Sequence, residues 1–205
     1  MKLGIYGGTF NPIHLGHLHI LREFIRRLSL DRVLLIPAHT PPHKQAHALA
    51  SGEDRTAMCA LAAREVTEAP VEVSELELRR EGKSYTADTL EALKAQFPAD
   101  ELYLLMGEDM FLTVDHWYRP EAIFSLAEVC ASPRSEAGFQ KLVEKKRELE
   151  RQFGASCRVE NIPHFPASST EIRRLAAEGK DLSRLVPKEI ERYIAEHRLY
   201  REGEA

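Results

Sequence analysis

Gly7-Gly8-Thr9-Phe10-Asn11-Pro12-Ile13-His14-Leu15-Gly16-His17 follows a short apolar run, Lys2–Tyr6, and leads into a helical pattern over Leu15–Leu28. The apolar run reads as a strand. Paired glycines at its end let the backbone turn sharply and bring N–H groups close to a ligand. Behind the turn, Leu18, Leu21, Ile25 and Leu28 recur at spacings of three and four, one buried stripe of an amphipathic helix. A helix starting near His14 offers free N–H groups and a positive dipole end, a ready anion site. His14 and His17 are three apart, so both fall in its first turn and point to the same place. The plain alternative is a tight turn and two surface histidines. Both histidines with Gly7, Gly8 and Gly16 at one strand end favour phosphate binding instead. The stretch is neither a Walker A loop nor a dinucleotide GxGxxG loop.

Outward from this unit, apolar runs alternate with helical patterns. Further strands are expected at Arg32–Pro37, Val71–Leu78, Glu101–Met106, Glu128–Ser132 and Arg158–Ile162. Helices are expected at Glu53–Thr67, Ala87–Phe97, Pro120–Ser125 and Gly138–Gln152. This alternation argues for an α/β fold: a doubly wound, mostly parallel sheet with helices on both faces. Ligands in such sheets lie beyond the C-terminal strand ends, where strand order reverses. Ser168-Ser169-Thr170-Glu171 has the form of a capping box, so a helix should start there and run to about Gly179. A last helix follows Pro187, with Ile190, Tyr193 and Ile194 on one side.

The length of 205 residues suits one domain, and the formal net charge is −4. Nucleic-acid binding through overall charge is not indicated, because the densest basic stretch, Lys141 to Arg151, is interleaved with glutamates. No apolar run approaches a membrane span, and the N-terminus lacks a secretory pattern. Cys59, Cys130 and Cys157 are scattered, odd in number and without CxxC spacing, which fits a reducing cytoplasm. His39, His43 and His47 are each four apart, but Pro41 and Pro42 break any helix joining the first pair. A loop whose His43 and Lys44 approach phosphate is the better reading.

Gly8-Thr9-Phe10-Asn11-Pro12-Ile13-His14-Leu15-Gly16-His17 fits G-x-F-x-P-x-H-x-G-H and resembles the nucleotidylyltransferase signature. Later segments resemble one branch, the bacterial nicotinate-nucleotide adenylyltransferases. They are Pro37-Ala38-His39-Thr40-Pro41-Pro42-His43-Lys44, Ser84–Leu90, Gly107-Glu108-Asp109, Trp117-Tyr118, Ala167–Arg173, Leu185-Val186-Pro187 and Tyr193–Tyr200. The resemblance spans essentially the whole chain in the expected order. It implies a Rossmann-like single nucleotidyltransferase domain over 1–205, with 168–200 a C-terminal helical segment completing the ATP site. The implied reaction joins AMP from ATP to nicotinate mononucleotide and expels pyrophosphate, with Mg2+ accompanying ATP and no dedicated protein ligands for the metal. Self-association is left open.

The resemblance also implies roles. His14, His17, Lys44 and Arg173 would be catalytic, His17 serving the charge that develops at the α-phosphate. Gly7, Gly8, Thr9, Phe10, Gly107, Ser169 and Thr170 would complete the ATP site with His14, His17 and Arg173. Lys44, Thr86, Asp109, Trp117, Tyr118 and Arg134 would hold nicotinate mononucleotide, its carboxylate read by N–H groups near Thr86 and Tyr118. Read without the family, Trp117 is a core anchor and Asp109 a helix N-cap. Glu108 stands where a small residue is usual and would repel an anionic ligand unless it points away. Ala167 and the Ser132–Glu136 segment also depart from the family pattern. Sister transferases using nicotinamide mononucleotide or phosphopantetheine, and an adenine-nucleotide sensor without turnover, are the alternatives; the phosphopantetheine branch lacks the Ser84–Leu90 and Trp117 segments.

Overall fold

The computed structural model describes residues 1–39 and 49–201. Six strands run in chain order as β1 (Lys2–Gly8), β2 (Arg32–Pro37), β3 (Val71–Val73), β4 (Glu101–Gly107), β5 (Ala127–Ser132) and β6 (Cys157–Val159). They form one parallel sheet in the order β3-β2-β1-β4-β5-β6. Strand order reverses between β1 and β4, where Tyr6 pairs with Leu105, so the two strands end side by side. The helices are α1 (Leu15–Leu28), α2 (Gly52–Ala63), α3 (Thr86–Gln96), α4 (Glu108–Phe111), α5 (Pro120–Leu126), α6 (Glu136–Phe153), α7 (Ser169–Ala177) and α8 (Lys188–Glu196).

The central strands are apolar on both sides, as parallel strands covered by helices must be. Alternate residues feed two cores. Tyr6, Val33, Leu35, Tyr103 and Leu105 meet Leu18, Leu21 and Phe24 of α1, Met58 and Cys59 of α2, Ile172 of α7 and Ile190 of α8. Leu3, Ile5, Leu34, Leu102, Leu104 and Met106 meet Leu90 and Leu93 of α3, Ile123 of α5 and Leu142 and Leu149 of α6. The doubly wound architecture expected from the alternation is therefore present, and every strand and helix expected there exists.

Two strand ends differ. The third strand stops at Val73 rather than Leu78. Ser74 N–H makes a last bond to Leu35 O at 2.9 Å. The chain then coils, with Arg79 N–H on Glu75 O at 3.0 Å and an Arg79–Glu75 ion pair at 2.8 Å. The Glu-Leu-Glu-Leu alternation of 75–78 imitates a strand, but the register would leave only Pro37, which has no N–H, opposite Glu75 before β2 ends. The sixth strand is Cys157–Val159 rather than Arg158–Ile162. After Glu160 N–H bonds Ala131 O at 2.9 Å, Ile162 N–H bonds Glu160 O at 2.8 Å and turns the chain off the edge.

Candidate active site

The turn after β1 opens to solvent: Gly7 is exposed and Gly8 and Thr9 half-buried. Phe10 folds back beneath it, buried, with φ 46°. A Cβ on Gly8 would come 3.1 Å from the Phe10 ring, so glycine permits this close fold.

His14 does not enter the first turn of α1 as expected. It stays extended as the N-cap, and His17 is the third helical residue. The two imidazoles cap each other. His17 N–H donates to His14 Nδ1 at 3.3 Å, and His14 N–H donates to His17 Nδ1 at 3.2 Å. The rings stack with centroids 3.7 Å apart. Gly16 makes room, since a Cβ there would lie 3.1 Å from the His14 ring. A backbone N–H can only donate, so both Nδ1 atoms accept and the protons of the neutral rings sit on Nε2. Leu15 N–H is also engaged, by Leu185 O at 2.8 Å. The anion donors at this helix start are thus chiefly the two Nε2–H groups rather than free backbone N–H groups.

Burial pushes the His14 pKa down to about 4. His17, edged by the Phe10 ring at 5.3 Å and the Tyr6 ring at 6.3 Å, is held well below its usual range by burial and by His14. Both are neutral at pH 7. With Nδ1 occupied and Nε2 protonated, neither is a free general base. Unfolded, a histidine gains its proton near pH 6.5; folded, His14 does so near 4. The unfolded chain therefore binds more protons between those values, and stability falls as pH drops through them, by about 3 kcal/mol for His14. Urea midpoints from pH 7 to 4.5 should fall more steeply for the wild type than for His14→Asn, whose amide keeps the N-cap. Equal slopes would contradict a buried neutral imidazole.

Ser169 and Arg173 of α7 come to this turn. Ser169 Oγ donates to Pro12 O at 2.9 Å. Arg173 Nη1 donates to Asn11 O at 2.8 Å, and its Nη2 to Thr170 Oγ1 at 3.3 Å. Among the described residues no carboxylate pairs with Arg173. Ser168 caps α7 by accepting from Glu171 N–H at 3.2 Å, but the Glu171 carboxylate turns to Arg174, so the capping box is half formed. Lys44, His43 and His47 lie outside the described residues.

Asn11, Arg55 and Tyr200 belong to the turn as well, and the sequence reading assigned them no role. Buried Asn11 Oδ1 accepts from Ala50 N–H at 3.1 Å and from Tyr200 Oη at 2.9 Å. Arg55 donates to Thr9 O at 3.0 Å. The signal for Arg55 was its helical spacing with Met58, Cys59 and Ala62.

A second group gathers beyond β4. Gly107 ends that strand with open space where a Cβ would stand. Asp109 is not the N-cap of α4, a place Gly107 takes; its carboxylate pairs with Arg134 at 2.8 Å. Glu108 turns to the connection between β5 and α6. Its Oε2 accepts from Arg134 N–H at 2.7 Å at the start of α6, against Gly138, where a Cβ would collide with it. Thr86 is the first residue of α3, whose N-terminus has no side-chain cap. The Tyr118 ring is half exposed and lies 4.5 Å from the Tyr85 ring. Trp117 is partly buried against the α3–α5 core, with Nε1 on Thr113 Oγ1 at 3.4 Å.

The first group collects donors of the kind that suit anionic oxygens: two imidazole N–H groups, an arginine without a carboxylate partner among the described residues, and the start of α7. Covalent catalysis by a thiol does not fit, because Cys59, Cys130 and Cys157 are all buried and burial raises each thiol.

Residues 5–175 match the cytidylyltransferase-like family. A Geobacter sulfurreducens protein described as "Probable nicotinate-nucleotide adenylyltransferase" is 40% identical, covering 98% of this chain and 98% of its own. A Neisseria meningitidis serogroup C protein with the same description is 40% identical over 97% of this chain and 98% of its own. The chain belongs to the nicotinate-nucleotide adenylyltransferases. Its fold is shared with the Plasmodium falciparum nicotinic acid mononucleotide adenylyltransferase complexed with NaAD. That structure has a TM-score of 0.79 at 19% identity and covers 97% of each chain. In this adenylyltransferase the two imidazoles of the histidine-glycine turn stack on each other.

Proposed function

We propose that the chain transfers AMP from ATP to nicotinate mononucleotide, giving nicotinate adenine dinucleotide and pyrophosphate in NAD synthesis. Family membership supports the reaction. The reciprocal His14–His17 cap carries the assignment of the triphosphate to the first group, because it leaves two neutral Nε2–H donors on rings stacked 3.7 Å apart. A phosphate oxygen of the mononucleotide attacks the α-phosphorus, and the bond to the β-phosphate oxygen breaks as pyrophosphate leaves. Both reactants are anions, so positioning and charge stabilisation are the principal catalytic demands.

In this reading Gly7, Gly8, Thr9, Phe10 and Gly107 let the backbone approach ATP. His14 and His17 donate through Nε2–H, His17 to the α-phosphate. Ser169 and Thr170 offer N–H groups at the start of α7, and Arg173 takes the β- and γ-phosphates. Lys44 adds charge to the reacting phosphates. The segment 168–200 completes the ATP site, as the bonds from Ser169, Arg173 and Tyr200 to the turn suggest. Mg2+ would accompany ATP and offset its phosphate charge, keeping several waters and calling for few protein ligands. No helix among the described residues is long and apolar enough to cross a membrane, and three reduced buried cysteines suit a cytoplasmic enzyme.

The second group takes nicotinate mononucleotide. The uncapped start of α3 at Thr86 and the backbone beside Tyr118 suit its carboxylate and disfavour the neutral amide of nicotinamide. Trp117 and Tyr118 supply aromatic surface, and Asp109 and Arg134 the polar rim. Glu108 does not oppose the substrate in this arrangement; it holds the Arg134 backbone. Glu108→Ala should therefore raise KM for nicotinate mononucleotide severalfold and leave KM for ATP unchanged, as initial-rate kinetics would read; equal changes in both would exclude the role.

The whole reading is tested by pyrophosphate release with Mg2+ and ATP, offering nicotinate mononucleotide, nicotinamide mononucleotide and phosphopantetheine separately. Strong release with the first alone is expected. Preference for another acceptor would overturn the Thr86–Tyr118 pocket, and no release with any would favour a sensor.

A further inference from the structure

Arg55 is 2% exposed and sits on the inward face of α2. Its guanidinium is held by main-chain carbonyls from three parts of the chain. Nη1 donates to Thr9 O at 3.0 Å and Ala38 O at 2.6 Å. Nε donates to Ala50 O at 3.2 Å, and Nη2 to His39 O at 3.5 Å. Thr9 lies in the turn after β1, Ala38 and His39 follow β2, and Ala50 precedes α2.

Among the described residues Arg55 forms no salt bridge. Its neighbour Asp54 is bonded to Ser51 and Tyr193 instead. Segment 40–48 contains no aspartate or glutamate. The ionisable groups that act on its charge are Cys59 and Tyr200. Burial raises the Cys59 thiol to about 12 and the Tyr200 phenol above its usual range, so both are neutral at pH 7. Arginine stays charged under such burial. A buried cation without a counter-ion is costly, and carbonyl dipoles satisfy its N–H groups without cancelling its charge. The turn it holds through Thr9 opens to solvent at Gly7 and Gly8.

We propose that Arg55 is a positioning residue of the nucleotide site, fixing the Thr9 turn and selecting by charge for the most anionic occupant of that turn. The proposal rests on the reading of Gly7–Phe10 as part of the triphosphate site. Low-dielectric surroundings make such a charge felt across several ångströms. Arg55 need not touch the ligand.

The test is calorimetric titration of the full chain with adenosine, AMP and ATP without divalent cations, so that ligand charge rises along the series. Thermal unfolding checks that each variant is folded. Arg55→Gln should weaken ATP about tenfold or more, AMP less and adenosine hardly at all. Arg55→Lys keeps the charge but loses the fork, and should preserve most of the wild-type ratio of ATP to adenosine affinity. An equal loss for all three ligands in Arg55→Gln would overturn the proposal, leaving Arg55 a purely structural brace. Should Arg55→Gln fail to fold, Arg55→Lys decides: collapse of its ATP-to-adenosine ratio overturns the charge role. A wild type that binds ATP no more tightly than adenosine would instead overturn the triphosphate reading, and the proposal with it.

Discussion

Replacing His17 by alanine should lower kcat by about 10²–10³-fold, the usual cost of removing one aimed donor from a charge-stabilising site. The tautomer sets the size of this loss. His17 Nδ1 accepts from His14 N–H at 3.2 Å, which leaves Nε2–H as a donor at neutral pH without any proton uptake. Alanine removes that donor and also one half of the mutual cap, worth about 1 kcal/mol of stability. Helix α1 is still anchored by Leu18, Leu21 and Phe24, so the variant should fold. The loss should fall on kcat, with KM for nicotinate mononucleotide nearly unchanged, because the interaction strengthens as charge develops at the α-phosphate. Steady-state kinetics beside circular dichroism would check this; unchanged turnover in a folded variant would remove His17 from the mechanism.

Arg173→Ala should lower kcat/KM for ATP by about 10²–10³-fold, and Arg173→Lys should recover only part of it, since an ammonium cannot grip two phosphate oxygens as a fork. Its guanidinium has a carbonyl and a hydroxyl as partners, Asn11 O and Thr170 Oγ1, so its charge is available to a ligand. The next residue is an internal control. Arg174 is paired with Glu171 and Glu178 at 2.6 Å each and points into solvent. Arg174→Ala should change kcat/KM less than threefold, as expected of exposed pairs. Similar losses at both positions would mean that α7 acts through folding and not through Arg173.

Local signals were the legible ones. The strand–glycine–helix unit at 2–28 could be read because its apolar run, paired glycines and helical stripe are consecutive. The strand reading of 71–78 ran long because Glu75-Leu76-Glu77-Leu78 carries a strand's alternation. Only the end of β2 as a partner and the Glu75–Arg79 pairing turn that segment into a coil. Spacing put His14 and His17 together, but not His14 outside the helix, because a mutual imidazole cap depends on χ angles that spacing does not set.

Long-range contacts were the illegible part. The direction of Glu108 depends on α6 starting beside α4, with Gly138 leaving room for the carboxylate. Arg55 shares a helical stripe with Met58, Cys59 and Ala62, but nothing local shows that three loops converge on it. Tyr200 meets Asn11 across 189 residues of sequence, beyond any local pattern.

In the proposed site His14 and His17 are neutral at pH 7 and present Nε2–H to the triphosphate. Nitrogen-15 NMR of labelled histidines, with and without ATP, reads both properties. Both rings should be in the neutral Nε2–H form in the free protein, each shifting at Nε2 on ATP addition, with both signals unchanged by titration from pH 8 to about pH 6. Nδ1–H tautomers, or imidazolium signals at pH 7, would contradict it.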